Sequence, residues 1–252
     1  MAGEFLKNSL AGNFSIHHKG DVDLVTDADR AAQDLIRKEV LLKYPEHGIL
    51  GEEDLTIKGA SDYLWIVDPL DGTTNYAHRF PVFSVSIAVV RKKHILCGVV
   101  YNPVSEELFK AVSGEGASLN AMPINVSETG SLNESLLGTG FPYNIRETSL
   151  NNLDHFNNFA LKAQGIRRCG SAALDLCFVA CGRLDGFWEL DLKQWDIAAG
   201  ALIVREAGGS TTDFEGKELG LDGSTVLASN GRIHDEMMEV LNRRVQSPKS
   251  RV

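Results

Sequence analysis

The stretch Trp65-Ile66-Val67-Asp68-Pro69-Leu70-Asp71-Gly72-Thr73-Thr74-Asn75 places two carboxylates three residues apart, directly after an apolar run. Leu64 to Val67 is short and apolar and reads as a buried strand that stops at Asp68-Pro69. Pro69 and Gly72 mark a tight turn that aims Asp68 and Asp71 at one point. A short helix is expected to start at Gly72-Thr73, and free N–H groups at a helix start form a phosphate cradle. The same residues also describe a plain polar turn in which both aspartates only cap, so the stretch by itself leaves two readings open.

Upstream, residues 28–43 space Ala32, Leu35, Ile36 and Val40 at helical intervals, and Pro45 follows the end. Downstream, Phe83–Val89 and Ile95–Tyr101 flank a charged Arg91-Lys92-Lys93-His94 turn, which is a hairpin pattern. Glu107–Val112 reads as the next strand. Further strands are expected at Leu136–Thr139, Asp185–Leu190, Ser210–Phe214 and Thr225–Ser229. Helices are expected at Ser171–Cys181, at Asp196–Ala207 closed by Gly208-Gly209, and at residues 232–246. Strands alternating with helices imply layered sheet and helix. The change of character near residues 125–135 divides the chain into an N-terminal part, 1–130, and a C-terminal part, 131–252, that together form one catalytic unit.

The 252 residues carry 34 Asp and Glu against 25 Lys and Arg, a formal charge of −9. That balance argues against a general nucleic-acid binder or an anionic-membrane binder. On its face it also argues against an anionic substrate. No apolar run is long enough to span a membrane. Met1–Lys7 lacks the basic-then-apolar order of a secretory leader, so a cytoplasmic location is expected. The 4 cysteines do not make a disulfide framework and are expected as free thiols.

Three other acidic sites recur where strands end or helices begin. They are Asp27 and Asp29 before the first long helix, Gly51-Glu52-Glu53-Asp54 after Ile49-Leu50, and Asp196 at the head of the helix that runs to Ala207. Each alone is an ordinary cap or solvated loop. Together with Asp68 and Asp71 they suit hard divalent cations, which take oxygen ligands and substrate phosphate.

With these motifs in hand, the chain resembles the inositol monophosphatase family. The resemblance rests on VTDAD at 25–29, GEE at 51–53, WIVDPLDGTTNY at 65–76, RFP at 79–81, GSAALDL at 170–176, GRLDGFWEL at 182–190 and WDIAAGALIVREAGG at 195–209. It implies an α/β (α+β) fold, a layered α-β-α-β-α sandwich of the inositol monophosphatase and fructose-1,6-bisphosphatase type. It also implies a magnesium-dependent, lithium-sensitive phosphomonoesterase, two to three magnesium ions per site, and a homodimer. The stretch before Lys19 is shorter than the family pattern, which leaves the outer helix layer in question.

Carried over by position, the resemblance implies that Glu52, Asp68 and the Leu70 carbonyl bind one metal, and that Asp68, Asp71 and Asp196 bind a second. Thr73, hydrogen-bonded to Asp29, activates the attacking water together with Glu52. The Gly72 and Thr73 amides hold phosphate. Arg167, Gly170, Ser171, Ala172, Glu189 and Asp196 face the alcohol. The substrate it implies first is inositol 1-phosphate. The alternatives are fructose 1,6-bisphosphate, NADP or histidinol phosphate, or a regulatory binding role on the same fold. A metal-loaded site offsets its own carboxylates, so the acidic composition no longer speaks against phosphate.

Overall fold

The computed structural model describes residues 1–10, 16–18, 24–221 and 224–242, with backbone only at 16–18, 24 and 25. The last part of the helix expected at 232–246 and the basic tail lie outside them. In chain order the elements are α1 (Ala2–Leu10), β1 (Ile16–His18), β2 (Leu24–Thr26), α2 (Asp27–Lys43), β3 (Gly48–Gly51), β4 (Thr56–Ile57), β5 (Tyr63–Asp71) and α3 (Thr73–Ala77). The chain continues through β6 (Ser84–Arg91), β7 (His94–Asn102), β8 (Glu107–Val112), β9 (Gly116–Leu119) and β10 (Met122–Pro123). The rest is β11 (Leu136–Thr139), α4 (Leu153–Ala160), β12 (Gly165–Arg167), α5 (Ala172–Ala180), β13 (Gly186–Leu190), α6 (Gln194–Glu206), β14 (Ser210–Thr212), β15 (Thr225–Ser229) and α7 (His234–Leu241).

Among the described residues an eight-stranded sheet runs β10-β9-β8-β7-β6-β5-β3-β4, and a five-stranded sheet runs β12-β11-β13-β15-β14. The first is antiparallel except at β3–β5, and the second is parallel on both sides of β11. The chain passes from one sheet to the other between Pro123 and Leu136. Helices α1 and α2 cover the outer face of the large sheet. Helices α5 and α6 lie between the sheets, and α4 and α7 cover the far side of the small one. This is the α-β-α-β-α order.

The layers follow from which faces are apolar. Helix α2 buries Ala28, Ala32, Ile36 and Val40 in one i, i+4 row and exposes its other face. Helix α6 buries every residue from Ile197 to Val204, as a helix between two sheets must. Alternation divides each central strand between two cores. On β5, Ile66 joins the middle core with Val100, Leu176 and Ile203, while Val67 joins the outer core with Leu6, Ile36 and Phe83. On β13, Phe187 faces the middle core and Trp188 stacks on Phe159 against α4, ring centroids 4.1 Å apart.

Two expectations are corrected, and one helix goes beyond them. The strand at 64–67 does not stop at Asp68-Pro69. It runs to Asp71, with Asp68 opposite Ser86 and Asp71 opposite Ser84, so β5 carries one extra residue. That bulge absorbs Pro69, which has no N–H for the ladder, and it re-aims both aspartates. The helix expected to open at Asp196 begins at Gln194, because Asp196 is its third residue and accepts from the Lys193 N–H at 2.6 Å. Helix α4 was not anticipated, since Asn-rich NNLDHFNNFA hides the Phe156–Phe159 spacing that packs it.

The outer helix layer is present. Leu6 of α1 is fully buried, and the Tyr76 hydroxyl donates to the Leu6 carbonyl at 3.0 Å. An apolar groove of about 420 Å3 remains between α1, α2 and the sheet, lined by Val40, Trp65, Val99 and Tyr101. No helix among the described residues is long and apolar enough to cross a membrane. All four cysteines are free.

Tyr76→Phe removes the buried hydrogen bond to the Leu6 carbonyl without opening a cavity. It is expected to lower stability by about 1 kcal/mol in urea unfolding, and an unchanged midpoint would show that Tyr76 does not anchor α1.

Candidate active site

The acidic residues converge where β3, β5 and the starts of α2, α5 and α6 meet. A cleft of about 250 Å3 is lined by Glu52, Asp68, the Leu70 backbone, Asp71, Thr73 and Asp196. A second space of about 120 Å3 shares Asp71, Gly72, Glu189 and Asp196 with it and is lined further by Gly170, Ser171 and Ala172. The two are halves of one site, one rich in carboxylates and one closed by the loop before α5.

Each acid is held by local backbone. Asp68 Oδ1 accepts from the Leu70 N–H at 2.9 Å, across the β5 bulge. Asp71 Oδ2 accepts from the Ser171 hydroxyl at 2.5 Å and the Ala173 N–H at 2.8 Å, so the first turn of α5 holds this carboxylate. Glu52 sits in a turn clamped from α2. Gln33 Nε2 donates to the Glu53 carbonyl at 2.8 Å, and the Glu53 N–H donates to Gln33 Oε1 at 3.2 Å. Behind the cleft, Asp29 is fully buried. Its Oδ2 accepts from the Thr26 N–H at 2.8 Å, and its Oδ1 lies 3.0 Å from the Thr73 hydroxyl. That hydroxyl is also 3.0 Å from the Leu70 carbonyl, so its one proton chooses between two acceptors.

Gly72 joins the strand to α3 at φ +93°, and a Cβ there would press on the Val82 and Gly170 carbonyls. Glycine alone fits such a turn with backbone on both sides. It brings the first N–H groups of α3 to the cleft wall. Asn75, one turn on, donates to the Val82 carbonyl at 2.7 Å and the Cys169 carbonyl at 2.8 Å, tying this loop to the loop before α5.

The electrostatics are those of crowded acids. Burial, then the charges of Glu52, Asp71 and Asp196, hold the Asp68 carboxyl well above the ordinary carboxylate range. Burial pushes Asp71 up to about 6 against the opposing bonds from Ser171 and Ala173. Burial and Asp71 raise Asp196, and burial followed by Asp175 raises Glu189. Among the described residues the His, Cys, Asp and Glu side chains do not close into a three-ligand cage. The donor set, carboxylates plus a backbone carbonyl and no nitrogen or sulfur, fits a hard cation such as magnesium rather than zinc.

Of the residues named from sequence, Glu52, Asp68, Leu70, Asp71, Gly72, Thr73, Gly170, Ser171, Ala172, Glu189 and Asp196 line this site. Asp29 stands behind Thr73. Arg167 is exposed, with Nη1 on the Ile166 carbonyl at 3.0 Å, and lines neither half; its neighbour Arg168 does, with its guanidinium 5.9 Å from the Phe141 ring centre. Ser171, expected to face the alcohol, directs its hydroxyl to Asp71. Gln33, Asn75, Phe141 and Tyr143 were not singled out from sequence, because amides and aromatics in loops carry no spacing signal of their own.

Comparison with known proteins agrees on one family. The sequence model described as the inositol monophosphatase family matches residues 1–248. An inositol-1-monophosphatase of Synechocystis sp. is 47% identical over 228 residues, covering 90% of this chain and 79% of that protein. A crystal structure of the extragenic suppressor protein SuhB from Bartonella henselae superimposes with TM-score 0.91 at 40% identity, covering 97% of this chain and 95% of that one. A crystal structure of an IMPase/NADP phosphatase complexed with Mg2+ and phosphate superimposes with TM-score 0.84 at 25% identity, covering 95% and 90%.

Carboxyls raised in the folded state bind protons more tightly than in the unfolded chain, so their contribution to stability is full below the unfolded value and is lost as pH rises through the folded one. For Asp71 that window runs from 3.8 to about 6. The metal-free protein is therefore expected to lose melting temperature as pH rises through this window, and added magnesium to restore more of it above the window than below. A magnesium shift that does not depend on pH would remove these acids as the cation's ligands.

Proposed function

The chain belongs to the inositol monophosphatase family of phosphoric monoester hydrolases, and from that premise we propose that it cleaves the phosphate monoester of a small polyol, inositol 1-phosphate first, by magnesium-dependent in-line attack of water. The observation that carries the reading is the Thr73 hydroxyl, suspended between Asp29 and the Leu70 carbonyl at the edge of the carboxylate cleft.

Glu52, Asp68, the Leu70 carbonyl, Asp71 and Asp196 would hold the cations. What magnesium supplies when bound is positive charge that offsets these carboxylates and the phosphate and polarises water. The remaining work falls to the chain. Thr73 donates its hydrogen bond to Asp29, which leaves its oxygen lone pairs to accept a hydrogen bond from a water in the cleft; as that water gives its proton to Thr73, the Thr73 proton passes to Asp29. Asp29 cannot turn away, because its other oxygen is held by Thr26. The N–H groups at the start of α3 face the phosphate oxygens, placed by the left-handed turn at Gly72. Glu189, at the end of β13, takes a hydroxyl of the leaving alcohol, and Asp196 lines both halves of the site. The polar, hydroxyl-accepting character of the alcohol side favours a polyol over an apolar leaving group.

A panel of phosphate monoesters is expected to be hydrolysed by the wild type with magnesium and not after chelation. Thr73→Ala is expected to lower kcat by about 100-fold with little change in KM, while Thr73→Ser stays close to wild type. Turnover that survives the chelator, or a Thr73→Ala variant with wild-type kcat, would overturn the mechanism.

A further inference from the structure

Glu189 is the carboxylate assigned above to a hydroxyl of the alcohol. It is 9% exposed, and among the described residues no hydrogen-bond donor reaches its oxygens. Its place is set instead by contact with Gly140, which lines the smaller half of the cleft beside it. Any Cβ on Gly140 would overlap the Glu189 carboxylate, so that group lies where a side chain at 140 would otherwise stand. The Gly140 backbone is the wall against which Glu189 rests.

That wall is held by Asn152, the residue before α4, which is 2% exposed and left-handed at φ +68°. Asparagine tolerates this region better than most residues with a side chain. Its amide makes no cap bond to α4 and is spent on the two strand ends that flank Glu189. Nδ2 donates to the Gly140 carbonyl at 2.5 Å and to the Thr139 hydroxyl at 2.9 Å. Oδ1 accepts from the Trp188 indole N–H at 2.8 Å, and the Thr139 hydroxyl donates onward to the Trp188 carbonyl at 2.8 Å. An indole only donates and a carbonyl only accepts, so the amide cannot be turned over without losing these bonds. One buried amide thus ties Gly140, just past β11, to the residue immediately before Glu189 on β13.

We propose that Asn152 and Gly140 are positioning residues for the leaving alcohol: Asn152 fixes the Gly140 backbone, and that backbone fixes the Glu189 carboxylate that reads a polyol hydroxyl. The inference deepens the phosphomonoesterase reading above and rests on it. A carboxylate with no donor of its own is placed only as well as the wall behind it. A shifted wall therefore weakens the reading of hydroxyls and leaves cleavage of the phosphate ester intact.

The test measures kcat and KM with magnesium on two substrates. The leaving group of inositol 1-phosphate carries further hydroxyls, and that of p-nitrophenyl phosphate carries none. Gly140→Ala adds one methyl at a residue outside the left-handed region, and the nearest atoms it meets are the movable end of Glu189. It is expected to raise KM for inositol 1-phosphate about tenfold and to leave its kcat, and both constants for p-nitrophenyl phosphate, within about twofold. Asn152→Gly keeps the left-handed turn and deletes the amide; it is expected to raise the same KM about fivefold with the same selectivity. In a Glu189→Ala background neither change is expected to move KM by more than about twofold, because the group through which both act is gone. A general loosening of the fold would instead lower activity on both substrates and in both backgrounds. Equal losses on both substrates, no change on either, or effects that persist in full without the Glu189 carboxylate would overturn the proposal. If Asn152→Gly does not fold, Asn152→Asp takes its place with the same expected and overturning outcomes, since it keeps the turn and the acceptor for Trp188 but has no amide donor for the Gly140 carbonyl. A wild type that hydrolyses neither substrate removes the phosphomonoesterase reading and this inference together. A wild type active on both, with unselective variants, removes the inference alone.

Discussion

The structure turns on holding several carboxylates close together in a buried cleft where they repel one another. Asp68, Asp71 and Asp196 all stand above the ordinary carboxylate range, first through burial and then through each other. Their mutual cost grows as the medium becomes less polar, so the chain must supply rigid backbone behind every one of them. It does so with the β5 bulge under Asp68, the first turn of α5 on Asp71 and the first turn of α6 on Asp196. These elements are anchored in cores that lie away from the cleft.

The same constraint explains the joins between layers. Asn75 bonds to carbonyls on both sides of the site, and Ser86 donates to the Trp195 carbonyl at 3.2 Å just before Asp196. Gln33 reaches from α2 to clamp the turn that carries Glu52. The acids come from five separate segments of chain, and their relative positions are only as firm as these cross-links. A cation between the acids would replace repulsion with attraction. The chain's −9 charge is thus no argument against an anionic substrate.

Much of this was legible before any coordinates. The long helix at 28–43 and the hairpin around residues 91–94 carry strong periodic signals and form as expected, and the apolar run of α6 forms a helix that starts two residues earlier than expected. The bulge in β5 was not legible, because a proline after an aspartate reads first as a strand end. Helix α4 was missed because its apolar residues are few and its partner, Trp188, lies more than two dozen residues further along the chain. Arg167 and Arg168 are indistinguishable as letters. Their separation depends on which one faces Phe141, and that is a matter of tertiary packing.

The sequence by itself determined the residue types and the order of the site: carboxylates at strand ends and helix starts, a glycine where the backbone must turn left-handed, and a threonine beside it. These are local requirements, and local chemistry is written in adjacent letters. Only the tertiary structure decided which groups meet. The Thr73–Asp29 bond that the resemblance implied forms across 44 positions of chain, while the gift of Ser171 to Asp71 across 100 and the burial of Asp175 with one oxygen unanswered came from the fold alone. Contacts of that range are set by how whole layers pack, and no spacing in the sequence encodes them.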